Sequence, residues 1–208
     1  MKRIRRLLYP LEAPRTALSP ALSAAILTIT AALVLTAWQA KPQDNPLPPL
    51  FNAWLTQDVV YIITPRESAA FKSLTTDDER KQFMVQFWER RNPSLGTVEN
   101  KFKQEHYRRI AYANEHFASR MPGWKTDRGR IYISYGPPDE IESHPSGGKY
   151  RRPASEGGGE VSTYPFEQWR YHHVEGVGDN LIMEFVDPDF SGTYYMTRDP
   201  SEKLAPVR

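Results

Sequence analysis

The spacing of apolar residues changes character near the middle of the chain. Before residue 120 they recur every three or four positions, as in Phe83, Met84, Phe87 and Trp88, which predicts amphipathic helices. After residue 128 they alternate with polar residues or form short runs between turn residues, which predicts strands. Helices followed by strands indicate an α+β fold, with N-terminal helices packed on a C-terminal antiparallel sheet of about four strands.

Two helix starts have strong local signals. Thr64 with Glu67, and Thr76 with Glu79, have the spacing of a capping box. Residues 51–63 fit either a helix or a strand, because their apolar residues satisfy both periods. The predicted helices span residues 65–74, 77–91 and 98–119, the last one capped by Thr97.

The sequence after residue 128 predicts four strands, the last three of them in an antiparallel meander. The predicted strands span residues 130–135, 166–174, 181–186 and 193–197. Short, turn-rich connections join the last three strands, so we expect them to be antiparallel neighbours. Residues 144–162 are rich in glycine, serine and charge, which predicts a mobile surface loop without a core.

The N-terminus has the pattern of an export or membrane segment. Residues 21–38 contain no charge and would span about 27 Å as a helix, close to the thickness of a bilayer core. We favour an uncleaved transmembrane anchor; a cleaved signal helix and a buried soluble helix are the alternatives. The predicted divisions are a basic cytoplasmic segment at 1–20, the anchor or signal segment at 21–40, a Pro-rich linker at 41–50 and the α+β domain at 51–200.

Charge is distributed unevenly and gives the orientation. The stretch before residue 20 carries +4 while the whole chain carries +2, so residues 21–208 carry about −2. A basic flank stays cytoplasmic, which predicts that the domain faces outward, or is secreted if the N-terminus is cleaved. The domain itself is not basic, which argues against a nucleic-acid partner. The chain has no cysteine, which excludes disulfides and thiolate metal ligands.

The segment Gly123-Trp124-Lys125-Thr126-Asp127 is the first candidate for chemistry. One interpretation is structural: Gly123 takes a left-handed position after a helix, Trp124 seals the core edge, and Thr126 or Asp127 accepts backbone amides at a helix-to-strand junction. Arg128 and Gly129 then complete the turn. The other interpretation is a ligand or partner site lined by Trp124, Asp127 and Arg128.

A second cluster follows the first predicted strand. Tyr135, Gly136 and Asp139 belong to a Tyr-Gly-Pro-Pro-Asp run that ends a strand sharply, with Asp139 as a turn former. The predicted strand would separate Asp127 from Asp139 by about 20 Å at about 3.3 Å per residue. A catalytic carboxylate pair needs about 5–9.5 Å, so the two are not expected to form one.

Other chemical signals are weak. The histidines lack metal-ligand spacing, and His106 lies on an apolar helix stripe as a core histidine does. We expect no metal and no cofactor. Trp169 and Tyr171 share one strand face, where they either stack on sugar rings or are covered by the helices; we favour the second.

The sequence resembles the bacterial GWxTD domain family, through the signature at Gly123–Asp127 and over about residues 51–198. Asn92 stands where that family usually has an aspartate. The matching segments are Trp54-Leu55, Asp58-Val59, Phe87–Pro93, Glu105, Tyr107–Ile110, Thr126–Gly129, Tyr135–Asp139, Phe166-Glu167, Trp169 and Glu184–Asp187. The resemblance implies an exported bacterial domain, and it supplies no catalytic residue.

These observations predict a membrane-anchored, outward-facing domain that is more an interaction or adaptor module of the cell envelope than an enzyme. Its expected partners are the membrane, through residues 21–38, and an envelope protein, with a glycan as a further possibility. The alternative is a hydrolase or a carbohydrate-active or glycan-binding domain that uses Gly123–Asp127.

Overall fold

A computed structural model describes residues 46–93 and 99–205 of the 208-residue chain. The predicted basic segment and the predicted anchor or signal segment at 21–40 lie outside the described residues. Within the described part, no helix is both long enough and apolar enough to cross a bilayer. The α+β class is confirmed: five helices precede six strands in the residues described.

The first half is helical. α1 (Pro49–Ala53) continues into a π-helical turn (Trp54–Asp58), so the helical alternative is correct for the start of the ambiguous segment. The later helices are α2 (Pro65–Ser73), α3 (Asp77–Glu89), α4 (Lys101–His116) and, after a 3-10 turn (Gly123–Lys125), α5 (Asp127–Tyr135).

Both predicted capping boxes are present. The amide of Glu67 donates to Thr64 Oγ1 at 3.2 Å, and the Thr64 amide donates back to Glu67 Oε2 at 3.0 Å. Thr76 and Glu79 repeat the arrangement at 3.2 and 2.9 Å. Two backbone donors at each helix start are therefore satisfied locally, which is why sequence alone locates these starts.

α4 begins later than predicted. Thr97 lies outside the described residues, and Asn100 is the residue that caps this helix, because its Oδ1 accepts the amide of Lys103 at 2.9 Å. Asparagine is at least as good an N-cap as threonine. The helix therefore starts at Lys101, three residues after the predicted start at residue 98.

The predicted strand at 130–135 is wrong, because these residues form the greater part of α5. Ile131, Tyr132 and Ile133 are all buried, with the Tyr132 ring stacked on Tyr112 of α4 at 4.4 Å and 6.4 Å from Trp169 of the sheet. A helix packed between another helix and a sheet buries consecutive residues. Its short apolar run therefore resembles a strand.

Four strands form the main sheet. The strands are β1 (Glu140–His144), β2 (Gly148–Arg151), β3 (Glu160–Thr163), β4 (Phe166–Val174), β5 (Gly178–Val186) and β6 (Tyr195–Met196). The sheet order is β1-β4-β5-β6 with antiparallel pairs throughout. The predicted meander of the last three strands is confirmed, whereas the first strand is β1.

The segment 144–162 is more ordered than the prediction of a coreless loop. It contains β2 and the start of β3, which pair antiparallel as a separate two-stranded sheet. Tyr150 of β2 is buried and contacts Phe166 of β4 with ring centroids 5.1 Å apart. This hairpin covers one end of the outer sheet face.

Two larger cores lie in the rest of the domain. The helical core buries residues from α1 to α3, with Trp54 against Phe71 at 4.8 Å and Phe87 at 5.2 Å. The sheet core lies between the inner sheet face and the pair α4 and α5, with Trp169 against Phe185 at 4.8 Å. The segment from Gly123 to Asp127 connects the two helices that cover the sheet.

Candidate functional site

The two glycines of the signature region allow two backbone segments to touch. A Cβ on Gly123 would lie 1.8 Å from the carbonyl oxygen of Ala113 in α4, and a Cβ on Gly129 would lie 1.9 Å from the carbonyl oxygen of Gly123. Gly123 opens the 3-10 turn and does not have a positive φ, so the predicted left-handed position is wrong. Close approach, not unusual backbone geometry, requires glycine here.

Thr126 caps α5 from a buried position. Its hydroxyl donates to the carbonyl of Gly123 at 2.8 Å and accepts the amide of Gly129 at 3.0 Å. One hydroxyl therefore closes the 3-10 turn and starts the helix. The predicted role for Thr126, accepting a backbone amide at a junction, is confirmed, although the junction joins two helices.

Asp127 connects α5 to the edge strand β6. Its Oδ2 accepts the amide of Met196 at 2.8 Å, and its Oδ1 accepts Nη2 of Arg130 at 3.1 Å. As the first residue of the helix it also lies where the helix dipole favours a negative charge. Both carboxylate oxygens are therefore engaged by the fold.

Arg128 is largely buried between α5 and the sheet. Its Nη1 donates to Glu167 Oε1 at 3.0 Å, and its guanidinium lies 4.0 Å from the ring centroid of Tyr194. Glu167 Oε2 accepts the indole N–H of Trp169 at 3.0 Å. The carboxylate of Glu167 thereby joins an arginine of the signature helix to the central tryptophan of the sheet core.

Trp124 is half-buried at the edge of the sheet core. Its amide donates to Asn114 Oδ1 at 3.1 Å, and its carbonyl accepts the hydroxyl of Tyr61 at 3.0 Å. Burial raises the pKa of Tyr61, so this hydroxyl remains a donor at neutral pH. The backbone of Trp124 therefore connects the turn to α4 and to the segment after the π-helical turn.

The second candidate cluster surrounds the end of α5. Gly136 has a φ of +88° and ends the helix, and its carbonyl accepts the buried hydroxyl of Tyr171 at 3.0 Å. Asp139 Oδ2 accepts the amide of His172 at 2.6 Å and so orients the entry into β1. Tyr135 is exposed, with its ring 6.4 Å from that of Tyr171.

Asp127 is the first residue of α5 and Asp139 lies four residues after its last, so a helix rather than a strand separates them. The nine-residue helix is about 13 Å long at about 1.5 Å per residue. The sequence analysis separated the two carboxylates by a strand, which was wrong. The helix that takes its place also keeps them apart. Each carboxylate accepts one backbone amide, which gives both of them a structural contact within the fold.

The remaining predictions about chemical groups concern histidines and aromatic rings. His106 is buried and contacts the carbonyl of Asp58 at 2.6 Å, and burial lowers its pKa, so it is the expected core histidine. Trp169 and Tyr171 are only 1% and 2% exposed, as the covered alternative predicts. In the ranges the structure describes, no three acidic or histidine side chains are grouped as metal ligands are.

A groove lies between α3 and α4. It encloses about 740 Å³, and its lining is mostly apolar. Val85 is 55% exposed, and Met84 and Trp88 lie next to it along α3. The lining residues are Lys81, Met84, Val85, Trp88, Glu89, Glu99, Asn100, Lys103, Gln104 and Tyr107.

Hydrogen bonds hold the two walls of this groove in place. Asn100 Nδ2 donates to the carbonyl of Trp88 at 2.6 Å, which fixes the start of α4 against the end of α3. Tyr107 donates its hydroxyl to Asp58 at 3.1 Å. Sequence reasoning missed this groove; the available signal was Val85, an apolar residue outside the stripe that faces the helical core.

The comparisons with known proteins agree with the signature. A model of the GWxTD domain matches residues 43–175, well over half of the chain, and ends in the turn between β4 and β5. No curated protein and no solved structure matches the chain. The matched range includes every signature residue described above. This chain therefore belongs to the GWxTD domain family.

Proposed function

We propose that this chain is a non-catalytic interaction module of the bacterial cell envelope. It is anchored by residues 21–38, faces outward, and receives an amphipathic helix of a partner protein in the groove between α3 and α4. The exposed apolar wall of that groove, centred on Val85, is the observation that carries the proposal.

The spacing of the lining residues suits a helix. On α3 they include positions 81, 84, 85 and 88, and at the start of α4 they include its N-cap residue 100 and positions 103, 104 and 107. Both sets follow the three, four and seven spacing of one helix face, so each helix presents a row of side chains to the groove. A third helix packs into such rows by fitting its own ridges between them.

The charges at the groove define the partner helix further. Lys81 lies at one end of the α3 wall and Glu89 at the other, about 12 Å apart at about 1.5 Å per residue. A complementary helix has an apolar stripe, an acidic residue opposite Lys81 and a basic residue opposite Glu89. These rim charges select the direction of the helix, while Val85 and Met84 supply the apolar contact.

The sequence supports the location in the envelope. The uncharged segment 21–38 with its basic flank is typical of a membrane anchor that leaves the following domain outside. The hydrolase alternative has less support, since Asp127 and Asp139 are engaged by backbone amides. The glycan alternative has less support, since Trp169 and Tyr171 are buried.

A photo-reactive amino acid at position 85 of the full-length chain tests the proposal in native membranes. Position 177, in the exposed β4–β5 turn, is the matched control, because Val177 is exposed to the same degree. We expect a discrete adduct with one partner at position 85 and none at position 177, and mass spectrometry should locate the adduct in a helical segment. That partner, once purified, should bind the isolated chain.

Two results would contradict the proposal. One is the absence of a discrete adduct at position 85. The other is an adduct between position 85 and residues 94–98 of the same chain, which would show that the chain covers its own groove.

A further inference from the structure

A small cavity, the α4–α5 cavity, lies where α4 packs against the end of α5 and the segment before α2. It encloses about 80 Å³ and shares no lining residue with the groove between α3 and α4. Its apolar lining comes from Ile62, Phe102 and Ile133, and polar residues of α4 and α5 complete it. A water needs roughly 10–15 Å³ of such space, so the cavity has room for a few waters or for one small functional group.

The ring of His106 gives this cavity a free hydrogen-bond acceptor. Its Nε2 lies 2.6 Å from the backbone carbonyl of Asp58, and because a carbonyl only accepts, Nε2 carries the hydrogen. Burial lowers the pKa of His106, so the ring is neutral at pH 7 and Nδ1 keeps its lone pair. No group within residues 46–93 and 99–205 donates to Nδ1.

This nitrogen is reached from the cavity. Some unpartnered polar atoms, such as Trp54 Nε1, are sealed inside the fold, and His106 Nδ1 is not among them. His106 as a whole is only 4% exposed, and it lines the cavity. Elsewhere its ring packs against other rings, including Trp88 and Phe102 at centroid distances of 5.5 and 6.5 Å. The accessible surface that Nδ1 keeps therefore belongs to the cavity.

Hydrogen-bond donors line the same cavity. Arg109 Nε donates to Glu105 Oε1 at 2.8 Å, and its Nη1 makes a long contact of 3.4 Å with the carbonyl of Ile133. A guanidinium has five donors, so most of those of Arg109 are unused within the described residues. Ser134, near the end of α5, has a hydroxyl for which the described part of the chain supplies no partner. The cavity thus holds one acceptor and several donors that the fold leaves open.

The charges within the cavity balance. Hydrogen bonds from Arg108 and Arg109 lower the pKa of Glu105 to about 2, so its carboxylate is ionised and compensates Arg109. Arg108 is exposed and does not line the cavity, and His106 is uncharged. A carboxylate ligand would disturb this balance and would also set its lone pairs against that of His106 Nδ1. The cavity therefore favours an uncharged group that both donates and accepts.

We propose that the α4–α5 cavity binds a primary carboxamide. The amide N–H donates to His106 Nδ1, the carbonyl oxygen accepts from Arg109 and from the Ser134 hydroxyl, and the carbon atoms of the ligand lie against the apolar lining. Water satisfies the polar atoms but gains nothing from that lining. This site goes beyond the proposed function, because it does not involve the groove between α3 and α4. The carboxamide belongs either to a free small molecule or to an asparagine or glutamine side chain of a peptide.

Nitrogen NMR of the His106 ring tests this site. The full-length chain in detergent carries ¹⁵N at its five histidines, and the His106 signals are those with the lowered pKa, which His106→Gln removes. The probes are acetamide, acetone, which has the carbonyl but no donor, and acetate, which has a similar shape and a charge. We expect acetamide to shift the His106 Nδ1 signal saturably, with acetone and acetate binding about fivefold more weakly or less.

Two tripeptides identify the source of the carboxamide. Gly-Gln-Gly and Gly-Glu-Gly have the same backbone and differ only in the side-chain head group. Tighter binding of Gly-Gln-Gly than of acetamide would identify a peptide side chain, and the reverse would identify a free amide. In both cases Gly-Glu-Gly should bind more weakly than Gly-Gln-Gly.

Three variants, each checked for folding by circular dichroism, locate the binding. Ser134→Ala removes one hydrogen bond and should weaken acetamide binding about threefold. Ser134→Leu fills the cavity from a half-buried position and should weaken it about tenfold or more. Ser68→Leu on α2 makes the same change at another half-buried helical serine, which does not line the cavity, and should stay within about twofold of the native value.

The inference is overturned by any of three results. The first is no saturable shift of the Nδ1 signal with acetamide or Gly-Gln-Gly, which would leave the cavity to water. The second is acetone or acetate binding as tightly as acetamide. The third is an affinity that Ser134→Leu leaves unchanged; if that chain does not fold, Ser134→Ala, which removes only a hydroxyl, decides.

Discussion

Arg128 of α5 donates from Nη1 to Glu167 Oε1 of β4 at 3.0 Å, and the two side chains are only 11% and 15% exposed. Because Glu167 also accepts the indole N–H of Trp169, this ion pair connects the residue after the signature to the sheet core. The signature is thus built into the junction between α4, α5 and the sheet. These contacts agree with the structural interpretation of the motif.

The first prediction concerns this ion pair. Arg128→Ala leaves the carboxylate of Glu167 buried without its cation, so the free energy of unfolding should fall by about 3 kcal/mol or more. Arg120→Ala, at an exposed position between α4 and the 3-10 turn, is the control and should change it by less than about 0.5 kcal/mol. Urea denaturation followed by tryptophan fluorescence measures both. Equal, small effects would show that the pair contributes nothing to the junction.

The second prediction concerns backbone approach at the signature. Gly129→Ala would place a methyl group 1.9 Å from the Gly123 carbonyl, so the 3-10 turn must separate from α5. We expect a loss of about 3 kcal/mol or more, by overpacking and by loss of the Thr126 cap. Gly159→Ala meets open space at a φ of +82° and should cost only about 1–2 kcal/mol. Thermal unfolding distinguishes the two, and a Gly129→Ala chain as stable as Gly159→Ala would refute close contact.

The sequence predicts those elements whose signals are local. The boxes at Thr64 and Thr76 each contain both members of a reciprocal hydrogen-bond pair within four residues, so the starts of α2 and α3 are found correctly. β4 is also found at its observed bounds, because its aromatic residues lie between turn residues on both sides.

The errors arise where tertiary contacts determine the structure. α5 resembles a strand because α4 and the sheet bury Ile131, Tyr132 and Ile133 together. β1 is a polar edge strand, with Glu140 and Glu142 exposed, and its sequence lacks the alternation that identifies strands. The groove at Val85 depends on how α3 and α4 pair, which no local pattern encodes.

The third prediction is a pH dependence. The pKa of Glu67 is lowered from its ordinary 4.5 to about 2. The main cause is the guanidinium of Arg91, which donates to the carboxylate at 2.7 and 3.0 Å, and the Thr64 amide lowers the pKa further. The unfolded chain takes up this proton first as the pH falls, so the stabilisation is complete above about pH 5 and is lost toward pH 2. The difference in unfolding free energy between the native chain and Glu67→Gln should therefore shrink over that range.

Urea denaturation at intervals from pH 7 to pH 2.5 measures this difference. Glu175→Gln, in the turn between β4 and β5, is the control and should give a difference that stays small throughout. A Glu67→Gln difference that is constant with pH, or that grows on acidification, would show that Arg91 does not stabilise the ionised carboxylate.

The fourth prediction concerns the C-terminal segment, which lies beyond the family match. Lys203 is fully buried against Glu184 and Glu156, and residues 203–205 hydrogen-bond to β3 and the residue after it. Lys203→Met leaves two carboxylates without their cation and should cost about 3–5 kcal/mol. Adding Glu184→Gln should recover part of that loss, because it removes one unpaired charge.

Chemical denaturation of the single and double variants measures this coupling. If Lys203→Met changes the unfolding free energy by less than about 1 kcal/mol, the segment is an accessory and not part of the folded domain.

The affinity of the partner captured at position 85 tests the central claim most directly. It should be measured for the native chain, Val85→Glu, Val177→Glu and Trp124→Ala, each confirmed as folded. A charge in the apolar wall should weaken binding about tenfold or more with Val85→Glu, whereas Val177→Glu and Trp124→Ala should stay near the native value. Loss of the partner with Trp124→Ala, and its retention with Val85→Glu, would contradict the account and place the binding site at the signature.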